Sequence, residues 1–321
     1  MAIRVINPGL ATTVQDLGRP GHFHLGIPMS GAMDQMALRT ANLLVGNKED
    51  AAALEAVFMA PEFVAESNFQ MAVTGAAMPV YVDDVEQQSW TTISVATGQT
   101  VRFDYPRAGA RVYIAFSGGI DVPEVLGSRS TYLVGAFGGF QRRPLAAGDV
   151  VPLGGGDNQP QRSLPDALRP DSPRHTELRV LPGLYWHRIT EAAGERFFSD
   201  QWTVAPEADR MGYRFRGGAP VEFVDREPPF GAGADPSNIV DSSYAYGSIQ
   251  IPGGSEPIVL HRDAVSAGGY FQIGAVISAD MDKIGQMLPN ATTRFVRVDM
   301  DTALQARKDR ATQMQSIRDA L

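Results

Sequence analysis

Two stretches near the N-terminus carry polar groups in a density that packing alone does not require. Thr12-Thr13-Val14-Gln15-Asp16-Leu17-Gly18-Arg19-Pro20-Gly21 and Gly26-Ile27-Pro28-Met29-Ser30-Gly31-Ala32-Met33-Asp34 gather amide, carboxylate, guanidinium and hydroxyl groups around glycines, then enter a helix. Backbone N–H groups at such a helix start can hold an anion. The alternative is a long loop in which Asp34 caps the helix and Arg19 pairs with Asp16. Gly127-Ser128-Arg129-Ser130-Thr131-Tyr132 sets hydroxyls beside an arginine, which can grip a carboxylate or phosphate. Equally, those hydroxyls can satisfy the turn's own backbone. Further along stand Asp209-Arg210-Met211-Gly212-Tyr213 and Asp263 followed by Gly268-Gly269-Tyr270. A carboxylate beside an arginine forms a salt bridge or, facing a substrate amide, orients it and assists proton transfer.

Other chemistries are excluded or weakened. There is no cysteine, so disulfides, Cys-ligated zinc, iron–sulfur clusters and thiol nucleophiles are ruled out. No Gly-x-x-x-x-Gly-Lys-Ser/Thr loop, His-Glu-x-x-His helix, Gly-x-Ser-x-Gly elbow or Ala-Met-Lys-Met biotinylation site is present. His22 and His24 flank Phe23; alternation on a strand puts both on one face, but no third ligand follows and an exposed loop pair is the simpler reading. No metal site is expected. His187 and His261 read as structural. Ser117-Gly118-Gly119-Ile120-Asp121-Val122 resembles the pyrophosphate loop of ATP pyrophosphatases, departs from it at Val122, and reads better as a tight turn leaving a strand.

The elements that must position these groups are mainly strands. Short alternating runs at 70–73, 91–95, 100–103, 111–116, 178–181, 221–224, 248–251, 257–260, 270–277 and 293–298 are punctuated by turns, in keeping with 33 Gly and 22 Pro. Such spacing predicts a sandwich or barrel. Helices are predicted at 34–45, near 186–193, at 280–288 and over 301–321. The last reads as an exposed amphipathic helix whose apolar residues are Leu304, Met314, Ile317 and Leu321.

With 321 residues, 44% hydrophobic and 20% charged, the chain can bury a large core, and its length fits two domains. A Gly/Pro-rich stretch over 156–176 is the expected linker between an N-terminal β-domain, 1–155, carrying the Gln15–Asp34 loop, and a C-terminal β-domain, 177–321, with a terminal helix. The halves echo one another in Pro8-Gly9-Leu10 and Pro182-Gly183-Leu184, and in Gly118-Gly119 and Gly268-Gly269; recurrence of common turns is the alternative. A formal net charge of −8 argues against nucleic acid and anionic membrane partners. The N-terminus reads as a strand and turn, not a signal peptide, and no apolar run reaches the roughly 20 residues of a membrane span, so a cytoplasmic protein is expected.

Taken in order, the motifs resemble one family. Thr-Thr-Val-Gln-Asp-Leu-Gly-Arg (12–19), Gly-Ile-Pro-x-Ser-Gly-Ala-Met-Asp (26–34), Ala-Asn-Leu-Leu-Val-Gly-Asn (41–47), Ala-Leu-Glu (53–55), Ser-Gly-Gly-Ile-Asp-Val-Pro (117–123), Leu-Gly-Ser-Arg-Ser-Thr-Tyr (126–132) and Asp-Arg-Met-Gly-Tyr-Arg (209–214) look like the C-type component of 5-oxoprolinase. That family is also called allophanate hydrolase subunit 2 or KipA-like, and includes the carboxyltransferase domain of urea carboxylase. The resemblance implies two cyclophilin-like β-barrel or sandwich halves. It implies a KipI-like (allophanate hydrolase subunit 1-like) partner and a LamB/YcsF-type third component. It implies ATP, or carboxybiotin from another domain, for the assembled complex, with nothing bound covalently here. One departure is Ala264-Val265-Ser266-Ala267-Gly268-Gly269-Tyr270, where the family usually has Gln-Thr-Thr-Gly-Gly-Tyr.

The implied activity is ATP-dependent hydrolysis of 5-oxoproline to glutamate by a multi-protein enzyme. Carboxyl transfer to urea or a related amide is the first alternative, and a non-catalytic KipA-type regulatory protein the second. The pocket is expected where the Gln15–Asp34 loop, the Ser128–Thr131 turn and the Asp209–Tyr213 segment converge. Asp34 and Asp209 are assigned proton handling, with Arg210 catalytic beside them. Arg19, Arg129 and Arg210 are assigned to carboxylate, phosphate or oxyanion. Gln15, Asp16, Ser30, Ser128, Ser130, Tyr213, Asp263, Gly269 and Tyr270 complete the expected substrate-binding set.

Overall fold

The computed structural model describes residues 1–157, 159–227 and 229–321. Its contacts divide into two compact units. Unit 1 comprises Met1–Arg19, Ser30–Ser172 and Thr312–Leu321; unit 2 comprises Pro20–Met29 and Pro173–Ala311. Unit 1 runs β1 (Ala2–Asn7), β2 (Thr13–Gln15), α1 (Gln35–Leu44), β3 (Ala53–Val57), β4 (Glu62–Ala65), β5 (Phe69–Ala77), β6 (Val80–Val82), β7 (Val85–Gln87), β8 (Thr92–Val95), β9 (Thr100–Phe103), β10 (Ala108–Phe116) and β11 (Val150–Pro152). Unit 2 runs β12 (His175–Pro182), α2 (Glu191–Ser199), β13 (Trp202–Val204), β14 (Gly212–Arg216), β15 (Asn238–Ser243), β16 (Ser248–Gln250), β17 (Ile258–Leu260), β18 (Ala267–Tyr270), β19 (Gln272–Val276), α3 (Met281–Gln286) and β20 (Thr292–Arg297). Helix α4 (Met300–Ala320) closes the chain.

Unit 1 is an antiparallel sandwich. One sheet has the order β11-β1-β4-β9-β6-β7 and the other β2-β3-β10-β5-β8. Alternation on each strand sends one set of side chains into a shared core: Ile3, Val5, Phe63 and Val101 from the first sheet meet Leu54, Val73, Val112, Ile114 and Phe116 from the second. Strand β10 is buried on both faces, because its intervening residues Tyr113 and Ala115 face a second core with Ala37, Leu38, Ala41 and Leu44 of α1. The predicted helix is thus found, with Asp34 as its cap: the Asp34 carboxylate accepts from Ala37 N at 2.9 Å.

Unit 2 is a closed barrel, β12-β19-β16-β17-β14-β13-β20, with a separate β15-β18 pair. Closure comes from a parallel pairing of β12 with β20, from His175↔Thr292 to Val180↔Arg297. Aromatic rings fill it: Phe197 of α2 stacks on Phe295 at 4.8 Å, and Phe215 meets Phe295 edge-on at 5.4 Å.

Several sequence expectations need correction. The 221–224 run is irregular, with a single bridge between Ile189 and Phe223; its backbone bonds instead to the segment entering α2, Thr190 N to Glu222 O and Val224 N to Arg188 O. The 270–277 run is two strands. Phe271 N–H turns away to Ser237 O at 2.8 Å, so β18 pairs with β15 while β19 joins the barrel. The helix near 186–193 starts later, at Glu191, because Thr190 is extended and its hydroxyl caps Ala193 N at 3.2 Å. The paired turns are not conformational repeats: Gly9, Gly118 and Gly119 have positive φ, whereas Gly268 and Gly269 lie in β18. Asn158, within the expected linker, lies outside the described residues. Leu164 and Arg162, also within it, pack on unit 1: Leu164 is fully buried with α1, and the Arg162 guanidinium donates to Leu43 O at 2.8 Å.

The terminal helix departs furthest from expectation. Leu304 is 47% exposed as expected, but Met314 and Ile317 are buried in the α1 core. Arg318 Nε also donates to Glu49 at 2.6 Å, and this hydrogen bond holds the Glu49 carboxyl below its usual range. Ile317→Ala should cost about 3 kcal/mol in denaturant unfolding. Leu304→Ala should cost less than about 0.5 kcal/mol. Equal effects would mean the helix end is not packed.

The barrel carries an acid-sensitive tie. The Asp280 carboxylate is fully buried, and accepts from Arg179 N at 3.0 Å, Arg179 Nε at 2.9 Å, the Arg179 terminal nitrogen at 2.7 Å and Lys283 at 2.9 Å. Burial alone pushes this carboxyl up; the bonds from Arg179 and Lys283 outweigh it and hold the group below its ordinary value. A depressed folded-state value contributes stability above the unfolded carboxyl range, and that stability is lost as pH falls below about 4. Urea melts across pH should show the acid slope reduced in Asp280→Asn. Parallel losses in both proteins below that pH would assign the slope elsewhere.

Candidate functional site

Unit 1 organises its polar loop around one carboxylate. Asp16 leaves β2 and is 7% exposed. It accepts from Gly18 N at 2.7 Å, Ser128 Oγ at 2.7 Å, Arg129 N at 2.5 Å and Ser130 Oγ at 2.5 Å. Gln15 reaches the same turn from Nε2 to Thr131 O at 3.2 Å. Arg19, 1% exposed, donates to Ser130 O and lies over the Phe137 ring, 4.9 Å from its centre. Arg129 points the other way: its guanidinium donates to Val122 O at 2.8 Å and to Glu124 at 2.7 Å, and its side chain is 37% exposed. The structure therefore brings Gln15, Asp16, Arg19, Ser128, Arg129 and Ser130 into one network. Gly138 and Gly139, both at positive φ, let a neighbouring turn lie directly on Ser130 and Thr131, where any Cβ would collide.

Asp34 belongs to a second, buried network. Its backbone N–H donates to Tyr113 Oη at 2.8 Å, and Tyr113 Oη donates to Glu55 Oε2 at 2.7 Å. Glu55 also accepts Met33 N at 2.9 Å and faces Arg111 Nε at 3.7 Å. Burial, then the charges of Glu55 and Asp34, push the Tyr113 phenol well above its usual value, so it stays a neutral donor. Arg111 and Tyr113 were not among the sequence candidates; the signal was polar residues inside the apolar strand β10. Ser30 lies between the networks in sequence, fully buried, at φ +52, with no hydrogen-bond partner for its hydroxyl among the described residues.

The remaining candidates lie in unit 2. Asp209 is exposed and its Oδ1 caps a turn, accepting Met211 N at 2.7 Å and Gly212 N at 3.1 Å. Arg210 grips Asp263 with Nε at 2.7 Å and a terminal nitrogen at 3.2 Å, the two side chains being 14% and 4% exposed. Tyr213, on β14, is buried beside His261, whose Nε2 bonds Met281 O at 3.1 Å. Gly269 and Tyr270 lie on β18, where Tyr270 N donates to Tyr244 Oη at 2.8 Å and the Tyr270 ring is 46% exposed. In the altered segment, Ala264 is buried against Tyr244 and Leu260 while Val265 is 47% exposed. His22 precedes a 3-10 turn, Phe23–Leu25, and His24 lies within it, so the two do not share a strand face. Among the described residues, no helix is long and apolar enough to cross a membrane.

A sandwich unit, a seven-stranded barrel unit and these carboxylate-centred loops define the class as a two-unit β protein with buried polar loops. The protein belongs to the carboxyltransferase domain family, subdomains A and B, whose model matches residues 25–297. It is 34% identical over 311 residues to the C-type component of 5-oxoprolinase from Escherichia coli strain K12, covering 96% of this chain and 94% of that one. It is 33% identical to urea amidolyase of Lachancea kluyveri over 336 residues, 99% of this chain but 18% of that protein. The crystal structure of K. lactis urea amidolyase superposes with a TM-score of 0.92 at 31% identity, covering 98% of this chain and 20% of that one. These relatives match the family to which the motifs point.

Removing one partner of the Arg210–Asp263 pair leaves a buried charge uncompensated. Arg210→Ala should destabilise by about 3–5 kcal/mol, and Arg210→Met with Asp263→Leu by clearly less. Denaturant melts of both variants check this; equal losses would mean the pair is not coupled.

Proposed function

We propose that this chain is the carboxyltransferase-family member of an amide-metabolising complex, and that the complex hydrolyses 5-oxoproline to glutamate with ATP. The observation that carries this reading is the match to the C-type component of 5-oxoprolinase along 94% of that protein's length. In it, a KipI-like protein pairs with this chain and a LamB/YcsF-type protein completes the enzyme. Ring opening consumes one water across the lactam C–N bond, and ATP hydrolysis to ADP and phosphate accompanies it.

Within this reading, Arg129 is the group best placed to hold a substrate carboxylate from unit 1. Its backbone is fixed by Asp16, while its side chain is partly exposed and exchangeable from Glu124. The Ser30 hydroxyl, buried and lacking a partner among the described residues, completes a polar contact to substrate or an ordered water. In unit 2, Asp209 keeps Oδ2 clear of its turn for proton handling. Among the described residues, the helix start and the arginine fork that the sequence offered to an anion are already engaged. Met33 N and Ala37 N at the start of α1 already donate to Glu55 and Asp34, and the Arg210 fork is engaged by Asp263. Nucleotide chemistry is assigned to the partner chains.

Carboxyl transfer from carboxybiotin to urea or a related amide is the second reading, favoured by the superposition on K. lactis urea amidolyase. The experiment is phosphate and glutamate release from ATP plus 5-oxoproline, with this chain co-purified with its KipI-like and LamB/YcsF-type partners. Release requiring all three is expected, with Arg129→Ala lowering kcat/KM roughly tenfold or more while leaving the melting curve unchanged. An intact complex that releases neither product would overturn the 5-oxoproline reading in favour of carboxyl transfer.

A further inference from the structure

Unit 2 holds a groove that none of the preceding chemistry uses. It lies between α2 and β20 and has a volume of about 720 Å³, within the range of roughly 300–1,000 Å³ typical of small-molecule sites. Its floor is aromatic: Trp186 stacks on Phe198 with ring centres 5.6 Å apart and planes 24° apart. The Arg297 guanidinium lies over the Trp186 ring, 5.2 Å from its centre.

That floor is built at a cost. Gly194 sits inside helix α2, where glycine is about 1 kcal/mol worse than alanine. A Cβ there would lie 2.5 Å from Trp186 Cζ2, so only glycine lets the indole lie against the helix. The sequence accepts a weaker helix to seat a partly exposed tryptophan, which packing of the barrel core does not require.

The walls carry opposite charges that do not neutralise one another. Glu191 and Glu195, one turn apart on the same face of α2, line one side. Arg294 and Arg297 of β20 line the other. Arg294 is held by Glu177 at 2.5 Å, whereas Glu191, Glu195 and Arg297 have no ion-pair partner among the described residues. The helix start favours Glu191 by itself, but Glu195 lies a turn beyond that field and repels Glu191 at i,i+4 spacing. A simple anion meets two carboxylates here, and a simple cation meets a guanidinium. A dipolar ion satisfies both walls.

We propose that this groove binds a small zwitterion of the α-amino-acid class. Its ammonium faces Glu191 and Glu195, its carboxylate faces Arg297, and its apolar side chain lies on Trp186 and Phe198. The site is independent of the proposed catalytic reading, since none of its residues is assigned there.

Trp186 supplies the probe. The other two tryptophans, Trp90 and Trp202, are 6% and 0% exposed, so ligand-dependent fluorescence reports on this groove. L-leucine and L-phenylalanine are titrated into the intact chain, followed by Trp186 fluorescence and by calorimetry, beside N-acetyl-L-leucine and L-leucinamide, which each lack one charge. Saturable binding of the zwitterions is expected, roughly tenfold weaker for either single-charge analogue, as for loss of one charge-assisted hydrogen bond. Arg297→Ala and Glu195→Gln should each weaken L-leucine binding by a similar factor, with unchanged circular dichroism. No saturable binding up to about 10 mM, well above a millimolar dissociation constant, would overturn the proposal. So would equal binding of the single-charge analogues, or an Arg297→Ala response equal to wild type.

Discussion

A carboxylate removed from water is costly to hold unless hydrogen bonds replace its hydration, and Asp16 meets that condition with donors drawn from far along the chain. Gly18 N is local, but Ser128 Oγ, Arg129 N and Ser130 Oγ come from more than a hundred residues away. Closing so long a loop costs conformational entropy, and the charge-assisted bonds at Asp16 offset it. The rest of the polar loop follows from this tie. Once Ser128 and Ser130 are drawn onto Asp16, Arg129 between them must project oppositely, toward Glu124. The Ser130 carbonyl is left facing inward, where Arg19 caps it above Phe137. The arginine that remains at the surface and the arginine that is buried are therefore sorted by one carboxylate.

Unit 2 solves the same problem with cationic side chains instead of hydroxyls. Asp280 is held by Arg179 and Lys283, and Asp263 by the Arg210 fork. The two pairs do different mechanical work. Arg179 ties β12 to the start of α3, an attachment that includes a backbone N–H and so fixes chain position. Arg210 and Asp263 are also linked by a backbone bond, Asp263 N to Arg210 O at 2.9 Å, so the turn after β17 is registered against the turn before β14. A guanidinium fork specifies direction as well as charge, which lysine would not do.

The strand-rich character was legible because alternation and turn residues are local signals. The α1 helix was legible for the same reason, since Asp34, the apolar stripe and Gly46 fall at helical spacing. What was not legible depended on partners distant in sequence. Thr-Arg-Phe-Val-Arg-Val at 293–298 reads as a strand, but nothing local shows that it pairs in parallel with β12 and so closes a barrel. Val221 and Phe223 alternate as a strand does, yet Val221 N bonds Gly254 O while Glu222 O and Val224 N bond the segment entering α2, so the run joins no sheet. At the site, Ser128-Arg129-Ser130 was legible as a polar turn. Its hydroxyls were expected to face a ligand or the turn's own backbone; Ser128 does accept Ser130 N, but both hydroxyls donate to Asp16, a partner too far away in sequence to be read locally. Tyr113 and Arg111 were hidden inside an apolar run, because a buried polar group is explained only by the Glu55 that receives it.

Ser30 is where stability and sequence part company. A buried hydroxyl without a partner costs about 1–3 kcal/mol, and a non-glycine residue held in the left-handed region costs a further 1–3 kcal/mol or so. Alanine would remove the first cost and glycine both, so neither packing nor backbone geometry selects serine here. The neighbouring Gly31, also at positive φ, has no room for a side chain, since its Cβ would fall 2.6 Å from Gly18 N. The backbone path is thus imposed by the contact with the Gly18 turn, which Asp16 in turn holds. A strained, buried hydroxyl fixed by surroundings that over-determine it is positioned more tightly than a surface serine could be. That rigidity suits a group whose partner is a ligand atom or a bound water, and it links this strained serine to the carboxylate that organises the loop.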